Sequence, residues 1–448
     1  MELFGINPGR RVIIYFMIAI IIGTILLKLS ISAQDKPIDL IDALFTSTSA
    51  VCVTGLTVVD TGKDFSLFGQ IVILILIQFG GLGIMTFATA LLIAFGSKLT
   101  FQDRLGLTQS FTANKKGETS SLIKAILSIT LSIELIGALA MFLKFKNEFP
   151  VGKAIFYSIF HSVSAFCNAG FSIFSNSLEN YRYDYYIIII FAVLIIIGGL
   201  GFTVIRELFD KFNNRQVKIS LHSKLCLLTT AILLIVGTIA YLTAEYQNVF
   251  QNSGAAYNTA NAFFQSVTSR TAGFNTISQN ELTEVSMMIT IFLMFVGACP
   301  GSTGGGIKTI TFMVILLLII NRFSGRSVVT IFKRTISGDS IIRAITVFIL
   351  AFFVIAAALA IFMFAEEKPL AYCITHGWFG ESLFEIVSAF STVGLSLGMT
   401  SKLHDFSKII LIITMFTGRV GLLTLAFAFA KKPKQGEIVY SEESVMTG

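Results

Sequence analysis

The sequence predicts an all-α membrane protein of four parallel helix–pore-helix–helix repeats around a pseudo-fourfold central pore. Three observations predict it. The chain is 54% hydrophobic and 13% charged, with a mean hydropathy of +0.80, which sets it apart from soluble globular domains. Apolar runs able to cross a hydrocarbon core of ~30 Å recur along its length. Segments 46–56, 161–171, 264–274 and 385–395 read alike: each is a short run rich in Ser, Thr and Ala that ends in a glycine and a bulky apolar residue. Their glycines are Gly55, Gly170, Gly273 and Gly394. Four copies of one small module in one membrane chain point to an arrangement around an axis, and the natural object on that axis is a pore.

The apolar runs are residues 12–29, 67–95, 122–143, 185–205, 225–242, 285–296, 310–320, 344–364 and 409–430. The first follows Arg10 and Arg11 as a signal peptide would, but no small-residue cleavage site follows it, so it reads as a span. Each repeat reads as a span, a short outer loop, a short helix, the glycine module and a second span. The short helices are expected near 38–50, 152–166, 257–269 and 378–390. They are too short and too polar to cross, and so re-enter the membrane where protein or water covers their backbone. The repeats occupy residues 1–97, 98–215, 216–325 and 326–430, and a tail of about eighteen residues, 431–448, is too short for a core of its own.

Charge predicts the orientation. Basic residues precede the first span and recur between repeats: Lys98, Arg104, Lys115 and Lys116; Arg206, Lys211, Arg215, Lys218 and Lys224; Arg322, Arg326, Lys333, Arg334 and Arg343; then Lys431, Lys432 and Lys434. The rule that cytoplasmic loops are positive places both termini and the inter-repeat loops in the cytoplasm, with all four glycine modules outside. The repeats are then parallel, unlike the inverted repeats common in secondary carriers. The net charge of +7 belongs to residues flanking spans and does not imply nucleic acid.

The module suits a cation. A selectivity filter aims successive carbonyls at an axis in place of the ion's water shell. Such backbone visits positive φ, where glycine is nearly free of strain. The short helices aim their negative dipole ends at the same place. The filter candidates are Val53, Thr54 and Gly55; Asn168, Ala169 and Gly170; Thr271, Ala272 and Gly273; and Thr392, Val393 and Gly394. The plainer alternative is helix-packing glycines, but packing alone needs no preceding Ser/Thr/Ala helix.

A second constellation, Gly297-Ala-Cys-Pro-Gly-Ser-Thr-Gly-Gly-Gly-Ile-Lys308, interrupts the second span of repeat three. It is no phosphate-binding loop, because Ile307 separates Gly306 from Lys308. Gly297, Pro300, Gly301, Gly304, Gly305 and Gly306 cannot remain helical. Unwound backbone at membrane depth lines a cavity or is buried in protein. The segment is thus a candidate gate below the filter, tethered by Lys308, or else a structural kink.

Arg419 sits inside the last span at a cost of roughly 2.5–3.5 kcal/mol. It either faces the axis as a barrier to cations or holds pore-helix carbonyls. Arg270 is placed to brace the filter of repeat three from behind. Asp39, Asp42, Glu134, Glu381 and Glu385 fall at span or pore-helix positions, and Asp42 and Glu385 either face an outer vestibule or are solvated. Cys52, Cys167, Cys226, Cys299 and Cys373 show no metal-type spacing and read as polarizable filler. His161, His222, His376 and His404 are scattered, with no ligand partner at helical spacing, so no metal site is assigned. No nucleophile–base arrangement appears, and the chain does not read as an enzyme.

The four glycine modules, the Gly-rich break at 297–309 and Arg419 together resemble the Trk/Ktr/HKT superfamily of potassium transporters, and within it the KtrB-type membrane subunits of bacterial Ktr systems. The resemblance covers nearly the whole chain. A serine at a filter glycine marks sodium-leaning plant members, and all four glycines are present here, so it implies K⁺ as the transported substrate. It also implies a homodimer with one pore per subunit, set in lipid in the bacterial inner membrane. A cytoplasmic ring of RCK-type nucleotide-binding subunits would regulate it, with the nucleotide on that partner, and Na⁺ is implied as an activator. A less selective Na⁺/K⁺ conductance of the same fold remains the runner-up. A proton-coupled carrier is disfavoured by the sparse buried carboxylates and the parallel repeats.

Overall fold

The computed structural model describes residues 8–83, 119–251, 253–366 and 377–429. Lys98, Arg104, Lys115, Lys116, Cys373, His376 and the tail from Lys431 lie outside the described residues. Among the described residues, four single helices are long and apolar enough to cross a membrane, and each opens a repeat: α1 (Pro8–Lys28), α4 (Thr119–Phe145), α8 (Leu221–Ala244) and α12 (Gly338–Ala365). Each is followed by a shorter helix: α2 (Leu40–Cys52), α5 (Val151–Phe166), α9 (Ala255–Thr268) and α13 (Trp378–Ser391). The second spans follow as α3 (Leu67–Gly81), α6 (Tyr185–Leu200) with α7 (Phe202–Asn213), α10 (Glu284–Phe295) with α11 (Thr309–Phe323), and α14 (Asp405–Val420) with α15 (Leu422–Phe429). A hairpin, β1 (Thr330–Ile331) paired antiparallel to β2 (Arg334–Thr335), lies between α11 and α12.

Local sequence sets these boundaries. Ser66, Asp184 and Thr283 cap α3, α6 and α10 by accepting hydrogen bonds from first-turn backbone N–H groups. The first spans and short helices meet through small residues. Ser47 Oγ donates to Ile20 O at 2.8 Å, Ser162 Oγ to Glu134 O at 2.6 Å, and Ser266 Oγ to Leu234 O at 3.1 Å. Each serine lies against a glycine of the first span, Gly23, Gly137 or Gly237, with no room for a Cβ. This is close approach by small residues where lipid gives helices no hydrophobic reason to associate. The fourth repeat carries Ile386 at that place in the module.

The second spans dock beneath the short helices by the same means. A Cβ on Gly80, Gly198 or Gly418 would strike the carbonyl of Val51, Phe166 or Phe390. Three residues on, Gly83, Gly201 and Gly421 take φ of 79°, 88° and 87°. The chain turns there: α6 and α7 are bent by 101° about Gly201, and Gly421 separates α14 from α15. The sequence pointed to a broken second span in repeat three alone. Repeats two and four break as well, because a glycine at positive φ ends the helix in each.

Replacing Gly198 with Ala should cost about 1–3 kcal/mol, the range for overpacking a tight site, since the added methyl meets Phe166 O and, at 3.0 Å, the Asn168 side-chain amide. Thermal melting in detergent will show it as a lowered Tm. Gly254→Ala, with nothing within 4 Å of its Cβ, should melt like the parent.

Candidate ion-conduction site

The four modules leave their helices by one backbone route. Val53, Asn168, Thr271 and Thr392 take φ of 58°, 58°, 70° and 50°, and Gly55, Gly170, Gly273 and Gly394 take 90°, 71°, 80° and 91°. A β-branched residue at positive φ is strained, so the surroundings must hold it there. Backbone bonds do so: Thr54 N to Ser49 O and Ala169 N to Ser164 O at 2.8 Å, and Val393 N to Ser388 O at 2.9 Å. Hydroxyls add to this. Ser49 Oγ and Ser388 Oγ accept from Gly55 N and Gly394 N at 3.1 Å, and Ser164 Oγ donates to Phe171 O at 2.7 Å. Repeat three ends its helix earlier, at Thr268, whose hydroxyl donates to Phe274 O in the same role.

The four glycines close a ring. A Cβ on Gly55 would meet Ala169 O and, at 2.9 Å, Gly170 Cα. One on Gly170 would meet Ala272 O at 3.0 Å and Gly273 Cα at 3.1 Å. One on Gly273 would meet Val393 O and, at 3.4 Å, Gly394 Cα, and one on Gly394 would meet Thr54 O and, at 2.9 Å, Gly55 Cα. Each repeat thus touches the next in sequence order, and the fourth touches the first. Thr54, Ala169, Ala272 and Val393 present their carbonyls to this ring. Asn168 reaches sideways: its amide nitrogen faces Ala165 O (3.1 Å) and Ile195 O (3.2 Å), and its oxygen faces Thr271 Oγ1 at 3.3 Å.

A cavity of about 410 Å³ lies on the loop side of the ring and is lined by all four glycines. The residue two beyond each glycine, Thr57, Ser172, Asn275 or Ser396, is polar and lines it too. Its carboxylates are Asp60 and Glu179. Burial, partly offset by a 2.8 Å hydrogen bond from Asn275, holds the Glu179 carboxyl above the usual carboxylate range. Neither acid expected at this mouth lies there. Asp42 is ion-paired with Lys408 at 2.7 Å, and Glu385 is fully buried behind the wall, accepting from Ser396 Oγ and Thr400 Oγ1. His161 occupies the corresponding place in repeat two. Its Nδ1 donates to Tyr157 O at 2.8 Å, so its Nε2 accepts from Ser172 Oγ at 3.0 Å.

On the far side of the ring sits the Gly-rich segment. Val296 and Ile307 pair at its neck, where Gly297 N donates to Ile307 O at 2.9 Å. Gly301 and Gly306 take φ of 71° and 67°. A Cβ on Gly304 would meet the Thr271 side chain, one on Gly305 the Thr392 side chain, and one on Gly306 Ser391 at 3.1 Å. The segment therefore lies directly against the residues that open two of the four ring strands. Its outer edge is sewn to repeat two: Cys299 N donates to Gly199 O at 3.0 Å, Thr303 Oγ1 to Gly198 O at 3.1 Å, and Phe202 N to Gly301 O at 3.1 Å. Pro300 points its carbonyl at Gly201, where a Cβ would stand at 2.7 Å.

Two cations grip successive carbonyls of this loop. Arg419 donates to Thr303 O and to Gly80 O, and Lys308 Nζ donates to Gly304 O at 2.6 Å. Arg419 therefore holds loop and second-span carbonyls, not the pore-helix carbonyls offered by the sequence reading. Arg270 is buried behind repeat three, within 3.5 Å of Thr230 Oγ1 and Gly297 O. Sequence reading missed the polar position two beyond each glycine, although extending the alignment by two residues displays it. It also missed that His222 has a partner one helical turn on: Cys226 Sγ lies 3.8 Å from His222 Nε2. Among the described residues no group of three His, Cys, Asp or Glu side chains is arranged to hold a metal.

A multi-pass membrane protein with four pore-loop repeats meeting in one ring is the class this architecture defines. The chain belongs to the TrkH family of cation transport proteins, whose family model matches residues 4–441. It is 39% identical over 451 residues to the Ktr system potassium uptake protein B of Bacillus subtilis, covering 99% of this chain and 97% of that one. It is 37% identical to the potassium/sodium uptake protein NtpJ of Enterococcus hirae, covering 99% and 98%. The crystal structure of the potassium transporter TrkH from Vibrio parahaemolyticus superposes with a TM-score of 0.74 at 23% identity, over 96% of this chain and 86% of that one, and so shares the fold.

If Asp60 and Glu179 concentrate cations at the mouth, neutralising each as Asp60→Asn or Glu179→Gln should weaken apparent cation affinity about threefold, from ~0.6 kcal/mol per charge at ~7 Å in water. The effect should fade at high ionic strength. Because the Glu179 carboxyl gains its proton at higher pH than an ordinary glutamate, acidification should mimic Glu179→Gln in the parent and add nothing further in that variant. Ion-uptake titrations at two pH values and two salt concentrations test both statements.

Proposed function

We propose that the chain carries K⁺ into the cell through the glycine ring, with Val53 to Gly55, Asn168 to Gly170, Thr271 to Gly273 and Thr392 to Gly394 as the selectivity filter. The observation that carries this reading is the closed ring. Four strands meet at glycine Cα atoms with their carbonyl-bearing neighbours in contact, an arrangement suited to replacing the water shell of a cation. The names of the relatives from Bacillus subtilis and Vibrio alginolyticus, both potassium uptake proteins, support K⁺ as the substrate. The potassium/sodium name of the Enterococcus relative keeps a less selective Na⁺/K⁺ conductance as the second reading. The loop through Gly297, Pro300, Gly301, Gly304, Gly305 and Gly306 is the gate, and Lys308 and Arg419 are its tethers.

The relatives' description as parts of a Ktr system supports a separate regulatory subunit. By the family resemblance this is a cytoplasmic RCK-type ring carrying the nucleotide, seated under a homodimer of this chain in the bacterial inner membrane, both termini cytoplasmic, with Na⁺ as activator.

Replacing Gly55 or any of its three counterparts by Ser should lower K⁺ over Na⁺ discrimination at least about tenfold, which is ~1.4 kcal/mol, because a side chain at positive φ displaces the neighbouring carbonyl. Competition of Na⁺ with K⁺ uptake in a potassium-transport-deficient strain measures it. Unchanged competition in all four variants would sink the filter assignment.

Removing residues 301–305 should raise K⁺ flux about tenfold, as lifting a barrier by ~1.4 kcal/mol would, and leave discrimination intact. Low flux from protein inserted at normal levels would make the loop scaffold.

A further inference from the structure

The repeats serve as internal controls for one another, and one interface departs from the rest. The first-span carbonyl that receives the pore-helix serine belongs to Ile20 in repeat one, Leu234 in repeat three and Glu134 in repeat two. Glu134 therefore stands where two other repeats carry an aliphatic side chain. Opposite it is Gln78 of α3, two residues before Gly80. The corresponding places before Gly198 and Gly418 hold Ile196 and Phe416. Two polar residues, each at a position that is apolar elsewhere, thus meet in mid-membrane: Gln78 Nε2 donates to Glu134 Oε2 at 3.1 Å.

Their third partner is Cys167, whose Sγ lies 3.7 Å from Gln78 Oε1 and 3.8 Å from Glu134 Oε1. Cys167 is the residue before Asn168, which opens the repeat-two strand of the ring at φ 58°. Its thiol also lies against Gly81, where a Cβ would meet it at 2.5 Å. A glutamate only 6% exposed at this depth is expensive. The apolar solution is available in the same fold and is used by the other repeats, so packing alone does not account for the polar one.

We propose that Gln78, Glu134 and Cys167 are positioning residues that fix the repeat-two strand and so set discrimination between K⁺ and the smaller Na⁺. The inference rests on the filter reading above. The cluster clamps the second span of repeat one, the first span of repeat two and the end of α5 to one another. Asn168, directly attached to that clamp, is the residue by which repeat two differs from Val53, Thr271 and Thr392.

The test uses the full chain in liposomes, reading Na⁺ competition against K⁺ uptake. The double variant Gln78→Ile/Glu134→Leu installs the apolar pair found in the other repeats. It should insert and melt like the parent yet lose about tenfold in discrimination, equivalent to ~1.4 kcal/mol. Glu134→Gln, which keeps the shape and the hydrogen-bonding groups, should retain parental discrimination. Should the double variant fail to insert, Cys167→Ala removes the link to α5 with a smaller change and should itself lower discrimination. Gly170→Ser is the reference. If it abolishes discrimination while a properly inserted clamp variant leaves it at the parental value, the clamp inference alone is overturned. If Gly170→Ser changes nothing, the filter reading fails and the clamp inference with it.

Discussion

The four repeats converge on one contact, the approach of four glycine backbones at the ring. Backbone can come that close only where no Cβ intervenes, and it can stay at membrane depth only if its polar groups have partners. The short helices deliver the strands, and their ends must converge. That convergence explains the glycines one shell out. Gly23, Gly137 and Gly237 let first spans close on pore-helix serines, and Gly80, Gly198 and Gly418 let second spans close under pore-helix carbonyls. A side chain at any of these would push a strand away from the axis.

The loop beneath the ring is held differently. Polar bonds to repeat two, Arg419 and Lys308 fasten it, but its seat is incompletely satisfied. Ser302 Oγ, Ser391 Oγ and Thr392 Oγ1 are buried and have no hydrogen-bond partner among the described residues. A buried hydroxyl left unpaired costs ~1–3 kcal/mol. The docked loop therefore lies above its best possible energy, which narrows the gap to an undocked, hydrated arrangement. That near-degeneracy suits the gating role proposed for the loop, since a gate requires two states of similar energy.

The sequence made the ring legible because its information is local. Each module carries its glycine, its helix-ending residues and its Ser/Thr/Ala run within eleven positions. The Gly-rich break was equally plain, since five glycines and Pro300 among apolar spans admit no helix. The breaks at Gly201 and Gly421 were not, because each hides in an otherwise apolar run and shows only when Gly80-Gly-Leu-Gly83, Gly198-Gly-Leu-Gly201 and Gly418-Arg-Val-Gly421 are set side by side. The mouth was misread for a different reason. Asp42 finds Lys408, 366 positions away, and Asp60 reaches the cavity from a loop; pairing over such separations leaves no local trace.

That alignment gives Arg419 its meaning. It stands where repeats one and two have Gly81 and Gly199, so the fourth repeat puts a long cation where the others leave space. Cys167 fills the space beside Gly81, and the loop of repeat three comes up to Gly199, where a Cβ would stand 4.0 Å from Ala298 Cβ. Gly199 O receives Cys299 N, Arg419 joins Thr303 O to Gly80 O, and the Thr271 and Thr392 side chains form the ceiling. Every repeat thus contributes to holding one loop: repeat one a carbonyl, repeat two the Gly198 and Gly199 carbonyls, repeat three the loop and part of its ceiling, repeat four the arginine and the rest. On the proposed filter reading, the ring needs the repeats to be alike, because its carbonyls would face one ion from four sides. The loop beneath it needs them to differ, because a single loop enters from one repeat only. The two demands fall on different residues: likeness on the four ring glycines, difference on Arg419, Gly199 and Thr303 below them.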